Sequence, residues 1–298
     1  MATTVVEKGQ PGSLSRFKDS FLLHKLHSLS GVFPIGFFMI FHLVANSYSL
    51  RGEAEFNTVV KVIGYFPFVT LIEMGVIFLP ILFHAIYGLF IAAEMQGPGG
   101  NMAHYGYTRN WFYWLQRVTG VIALFYICYH VYTTTGQRWM YEWTVADGKE
   151  QGFRAIAYEA MAWRFVGIGY TLFYVIGVGA ACFHLANGLF NFCIRWGITI
   201  GKEAQKISAY VWSFVGVALA IIGLWTAINF HMLGLNYKLP SGEVVNLQQK
   251  YDSLDALVKD TALAPAAPIP GAKPTPAEEG AAPAAGTTTE PTTPATTP

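Results

Sequence analysis

Charge is what this chain has least of. Only 12% of its 298 residues are Asp, Glu, Lys or Arg, and they nearly cancel to a net charge of +1. That balance leaves no electrostatic footprint for a phosphate backbone, so no nucleic-acid partner is expected. Cysteine is scarcer still. Cys128, Cys182 and Cys193 lie in or at the end of apolar runs, with no C-x-x-C or C-x-x-C-H spacing. Three scattered thiols cannot hold an iron–sulfur cluster or attach a c-type haem, and they read as small core residues. Phosphate-cradling glycine loops are missing too, which removes a dinucleotide or nucleotide site. The first twenty residues are polar and the first apolar run ends in no obvious small-residue cleavage site, so that run is expected to stay in the protein.

What remains is apolar: 53% hydrophobic residues with 15% aromatics, the composition of a membrane protein. Five runs are long enough to cross a bilayer: Ser28–Tyr48, Phe68–Met95, Trp111–Thr133, Phe165–Phe192 and Ile207–Phe230. Pro34 interrupts the first, as membrane helices tolerate. Trp111, Tyr113 and Trp114 form an aromatic belt at the entry to the third. The expected fold is therefore all-α, an integral-membrane five-helix bundle in contact with lipid. Residues 1–23 read as a polar arm, 24–237 as the transmembrane domain and 238–298 as an extramembrane, Ala/Pro/Thr-rich disordered tail. Within that tail, Ala262–Pro298 is almost wholly Ala, Pro, Thr and Gly and is expected to be disordered. Five spans put the two ends on opposite sides. A modest excess of Lys and Arg around the first arm, among them Lys8, Arg16, Lys18 and Arg195, favours a cytoplasmic N-terminus and an outside tail.

The fourth run carries His184 at mid-depth, with Gly177, Ala180, Ala181 and Gly188 on the same helical face. A flat ligand could lie on such a face; close helix–helix packing would select the same small residues. Three further histidines occupy spans, one per helix. At a 1.5 Å rise per residue, His42 lies about 9 Å and His130 about 5 Å from the outer ends of their helices, one layer. His84 and His184 lie roughly 17 and 15 Å from the inner ends of theirs, a second layer. Both inner-layer histidines are followed by glycine four residues on, in HAIYG and HLANG. A lone membrane histidine is usually hydrogen-bonded or handles protons. Four of them, paired by depth, ask instead for two stacked, doubly ligated centres. Bis-histidine haem fits that demand, whereas structural zinc wants four ligands at one point. His24 and His27 at the inner mouth, His104 in a turn and His231 just past the fifth run read as solvated. Glu73 is different, because a carboxylate one or two turns inside a span is costly unless it pairs, reaches water or handles protons.

These stretches, KLHSLSGVFPIGFFMIFHLVAN, PFVTLIEMGVIFLPILFHAIYG, TRNWFYWLQRVTGVIALFYICYHV and FHLANGLFNFCIRWGITI followed by QKIS, resemble the di-haem cytochrome b membrane anchors of succinate:quinone oxidoreductases, in their single-anchor, five-helix form. The resemblance covers nearly all of residues 24–230. It implies two b haems, with His42 and His130 as axial ligands of the outer one and His84 and His184 of the inner one. It also implies that Ser28 and Arg195 lie near the inner haem's propionates, and that Glu73 lies beside an outer site where a quinone, menaquinone, exchanges electrons and protons. The partners would be a flavoprotein subunit carrying FAD and an iron–sulfur subunit, in the bacterial cytoplasmic membrane. A fumarate reductase anchor, or the di-haem anchor of another quinone-linked dehydrogenase, is the alternative.

Overall fold

The computed structural model describes residues 21–93, 107–144 and 156–262. The N-terminal arm through residue 20, His104 and the stretch from 263 onward lie outside the described residues. Five helical stretches are long and apolar enough to cross a membrane: span I Phe21–Arg51, span II Val69–Ala93, span III Thr108–Met140, span IV Ile168–Arg195 and span V Lys202–Leu235. The chain is thus an all-α, multi-pass membrane protein. Spans I, III, IV and V extend at one end or both beyond the run expected from hydropathy, because helices continue into the interface where polar side chains reach water, whereas the described part of span II falls within its run. Span I breaks between Val32 and Ile35 around Pro34, which has no N–H to give to the preceding turn.

Span IV packs most heavily against spans V and III. Its small residues let backbones approach. A Cβ on Gly177 would run into the Tyr126 ring, and one on Gly216 of span V would meet Ala186. The small-residue face of span IV is thus shared: Gly177 is filled by a neighbouring helix, whereas Ala181 and Gly188 line a cavity beside His184. Cys182 and Cys193 are buried as expected, but Cys128 is exposed on the outer surface of span III.

Spans II and III each widen into a π-helical turn, at Glu73–Phe78 and Tyr132–Gly136. Such turns carry an extra residue per turn and re-aim side chains, and they recur at functional sites. Here both lie at the outer level of the bundle.

The stretch after Tyr237 departs from expectation. Residues 238–262, assigned above to the tail, are folded: Tyr237–Lys238 (β1) pairs antiparallel with Val244–Val245 (β2), and the helices Leu247–Lys250 and Leu254–Ala262 follow. Asn246 caps the first of them, accepting from the backbone N–H groups of Gln248 and Gln249. Leu247 and Leu257 are fully buried, with Tyr251 and Leu254 beside them, in the same core as Tyr158, Phe165 and Phe230. Burying one leucine contributes about 1.5–3 kcal/mol. Leu247 sits on one short helix and Leu254 and Leu257 on the next, with an extended Tyr251 between them; both helices are too short to register as a span, and together with the helix Ala157–Phe165 they roof the outer end.

Candidate functional site

The four span histidines come together as two pairs. The His84 and His184 rings lie 6.1 Å apart between centroids with planes at 88°. His42 and His130 lie 5.7 Å apart at 78°. Two imidazoles sharing one metal ion would sit about 6 Å apart, from two metal–nitrogen bonds of about 2 Å plus the two ring radii. Both pairs meet that distance without touching through a hydrogen bond.

At the inner pair the protonation pattern follows from the partners. Nδ1 of His184 is 2.9 Å from the Gln116 carbonyl oxygen, and Nδ1 of His84 is 3.0 Å from that of His27. A carbonyl can only accept, so both Nδ1 atoms carry the proton and both Nε2 atoms keep a lone pair. Gln116 is itself held, donating from Nε2 to the His184 carbonyl and accepting from Asn187. A cavity of about 1120 Å³ opens beside these rings, bordered by Ser28, Gln116, Arg109, Arg117 and Arg195. That exceeds the ~300–1,000 Å³ typical of pockets for drug-sized ligands, and its walls are mainly apolar with basic groups at the mouth. Nε of Arg117 is buried there with no partner, as is Nδ1 of His27. Orphaned donors beside a large apolar cavity suit a flat molecule with acidic arms. Arg195 donates to the His24 carbonyl at 3.2 Å, and Lys25 donates to the Arg195 carbonyl at 2.8 Å, so spans I and IV are tied at the mouth.

His24 and His27 are not the solvated interfacial groups expected. The His27 ring stacks on His84 at 4.0 Å and 15°, and His24 meets Tyr87 edge-on at 5.4 Å. Span I approaches span II more closely here than depth counting revealed. His231 also differs: it lies within span V, and its Nδ1 donates to the Phe165 carbonyl at 2.7 Å, joining that span to the outer roof.

At the outer pair, His130 places Nδ1 2.9 Å from the Tyr174 hydroxyl, which in turn accepts from Tyr170. Nε2 of His130 is left over. His42 holds Nε2 at 3.3 Å from the Asn46 amide nitrogen, a contact within its own helix that Asn46 can release. Glu73 has a partner that span-by-span reading could not supply, since Arg138 from span III reaches its carboxylate at 2.6 Å. Both side chains keep some exposure, 19% for Arg138 and 17% for Glu73. Arg164, on the roof helix, is buried and donates to Gln137, next to Arg138. Arg138, Arg164, Gln116, Tyr174 and His27 were all missed by reading the sequence. Only Arg138 and Arg164 left a signal, as basic residues flanking apolar runs.

Comparison with known proteins agrees with this architecture. A family model described as the succinate dehydrogenase/fumarate reductase transmembrane subunit matches residues 103–223, which contain spans III and IV and most of span V. A curated protein of Bacillus subtilis (strain 168), the succinate dehydrogenase cytochrome b558 subunit, is 39% identical over 210 residues, 70% of this chain and 96% of its own length.

Proposed function

Because the chain belongs to the succinate dehydrogenase/fumarate reductase transmembrane subunit family, we propose that it is the cytochrome b anchor of that complex, passing electrons between an iron–sulfur subunit and membrane quinone through two bis-histidine b haems. The observation that carries this reading is the inner pair: two imidazoles at right angles, 6.1 Å apart, each with Nδ1 committed and Nε2 free, beside a cavity of about 1120 Å³. Haem held by these histidines would supply a one-electron iron couple, chemistry that suits electron transfer.

His84 and His184 hold the inner centre, and His42 and His130 the outer one. Ser28, Arg117 and Arg195 line the inner cavity and would meet the propionate carboxylates, arginine through its forked donors. Spans III and IV exclude water between the layers by packing Tyr126 into the notch at Gly177. On the outer side, reduction of a quinone to quinol takes up two electrons and two protons. Each of the two quinone oxygens takes one proton; Glu73 relays a proton from water to the oxygen nearest it, the other oxygen takes its proton from water, and Arg138 orients the Glu73 carboxylate. Menaquinone is the quinone the resemblance implies. In this reading the FAD flavoprotein and the iron–sulfur subunit supply the succinate chemistry, in keeping with a sequence that carries no dinucleotide fingerprint and no clustered cysteines. The N-terminus faces the cytoplasm, where those subunits dock.

The test is purification of the intact complex from the native membrane. Two low-spin b haems per anchor and succinate-driven reduction of quinone are expected. A single haem, or haem with no dicarboxylate activity in the complex, would overturn the reading.

A further inference from the structure

The two inner imidazoles occupy the same kind of seat on different helices. In an α-helix the carbonyl of residue i faces the N–H of residue i+4 along the helix surface. A side chain arriving from a neighbouring helix reaches that carbonyl by lying across position i+4. His84, from span II, sends Nδ1 to the carbonyl of His27, and position i+4 is Gly31. His184, from span IV, sends Nδ1 to the carbonyl of Gln116, and position i+4 is Gly120. A Cβ on Gly31 would stand 2.6 Å from Cε1 and 3.1 Å from Nδ1 of His84. One on Gly120 would stand 2.9 Å from Cε1 and 3.1 Å from Nδ1 of His184. The register, the atoms met and the distances repeat, although the seats lie on spans I and III. Gly120 is inside a helix and Gly31 is in the last turn before the Pro34 break, without a positive φ; alanine suits both backbones, so local conformation does not account for either glycine.

We propose that Gly31 and Gly120 are positioning residues for the inner centre: each leaves room for an imidazole to rest its Nδ1–H on a helix carbonyl and turn Nε2 toward a shared iron. The proposal rests on the reading of His84 and His184 as axial ligands. Its chemical consequence is electronic. A carbonyl drawing on the Nδ1 proton raises the basicity of the ligating nitrogen, which stabilises ferric over ferrous iron and lowers the potential of the centre. A backbone carbonyl within a helix cannot rotate away, so the ring plane is set as well. A methyl group at either glycine lifts the ring off its carbonyl, weakening the bond and changing the angle between the two imidazole planes.

Gly31→Ala and Gly120→Ala are compared in the intact complex with Gly169→Ala, a control in span IV whose added Cβ meets nothing within 4 Å. Potentiometric titration and electron paramagnetic resonance are expected to show a raised midpoint potential and shifted low-spin g values for the inner haem in both variants. The outer haem and the control should match the wild type. An unchanged inner haem in either glycine variant overturns the assignment. Should those variants not assemble, electron–nuclear double resonance on the oxidised wild-type complex in light and heavy water decides instead. A deuteron on Nδ1 of both inner imidazoles with a quadrupole coupling lowered by a hydrogen bond to oxygen is expected, and the coupling of a free N–H refutes the seat. A wild-type complex without haem removes the underlying ligand reading, whereas haem that ignores the alanine substitutions removes only this one.

Discussion

The inner and outer histidine pairs have nearly the same separation and crossing angle but are held by different chemistry. At the inner pair, both Nδ1 atoms rest on backbone carbonyls, groups that can neither rotate nor exchange acceptor for donor. At the outer pair, His130 leans on a tyrosine hydroxyl that belongs to a chain of hydroxyls, Tyr174, Tyr170 and Thr133, each able to donate or accept. The inner pair opens to a basic mouth; the outer pair lies under a folded roof, and the Glu73–Arg138 ion pair joins spans II and III toward the same outer end. A rigid acceptor suits a centre that only changes charge. A hydroxyl network and a carboxylate suit a site where protons move with the electrons.

The largest effect that would test this contrast comes from removing a ligand at one level only. His184→Leu is expected to reduce the purified complex from two haems to one, with the outer spectrum retained, and His130→Leu to do the reverse. Loss of both haems from either change would show that the two levels form one folding unit. Next, Glu73→Gln keeps the shape of the side chain but removes its proton, and a positioned acid–base group contributes about 10²–10⁴-fold. The quinone-linked rate should fall by that order relative to succinate oxidation with an artificial acceptor in the same preparation. An unchanged ratio moves proton exchange away from Glu73.

Leu247→Ala sharpens the comparison at the roof. Deleting a fully buried leucine costs about 2–5 kcal/mol, and on heating this variant should lose its outer haem well before its inner one. Simultaneous loss would detach the roof from the outer centre. Tyr174→Phe is a smaller change, removing the acceptor for His130 Nδ1. A hydrogen bond worth roughly 1 kcal/mol corresponds to about 40 mV for one electron, so the outer midpoint should rise by that order while the inner stays put.

The smallest effect is one of pH. Glu159, on the roof helix, is buried close to Glu53, with the Tyr237 hydroxyl in reach of both. Burial, and then the Glu53 charge, push its pKa above the ordinary carboxylate range. The folded state thus prefers the protonated acid. Its contribution is complete below the ordinary carboxylate pKa and is lost as pH rises through the raised value. Thermal stability of the roof should decline from mildly acid to mildly alkaline buffer, and Glu159→Gln should flatten that slope. A slope that persists in the variant would assign it to other groups.

Much of this molecule was legible in one dimension. Bilayer-length apolar runs are set by composition alone, so five spans follow without any contact being known. The depth of a residue along a straight helix follows from a constant rise, which is why His42 could be grouped with His130 and His84 with His184. Rotation about each helix axis and the choice of neighbour are not local properties, and there the reading failed. The glycines four residues after His84 and His184 looked like parts of one ligand motif. In the folded chain Gly88 faces His27 and Gly188 faces Gln116, while the rings themselves rest on Gly31 and Gly120 from other spans. The partner of Glu73 and the stacking of His27 on His84 were hidden for the same reason. The roof built from Leu247, Tyr251, Leu254 and Leu257 was hidden because helices that short gain their stability from the surface they cover. Periodicity and length act along the chain and can be read there; partners across helices depend on how five packed surfaces interlock, and only the tertiary structure decides that.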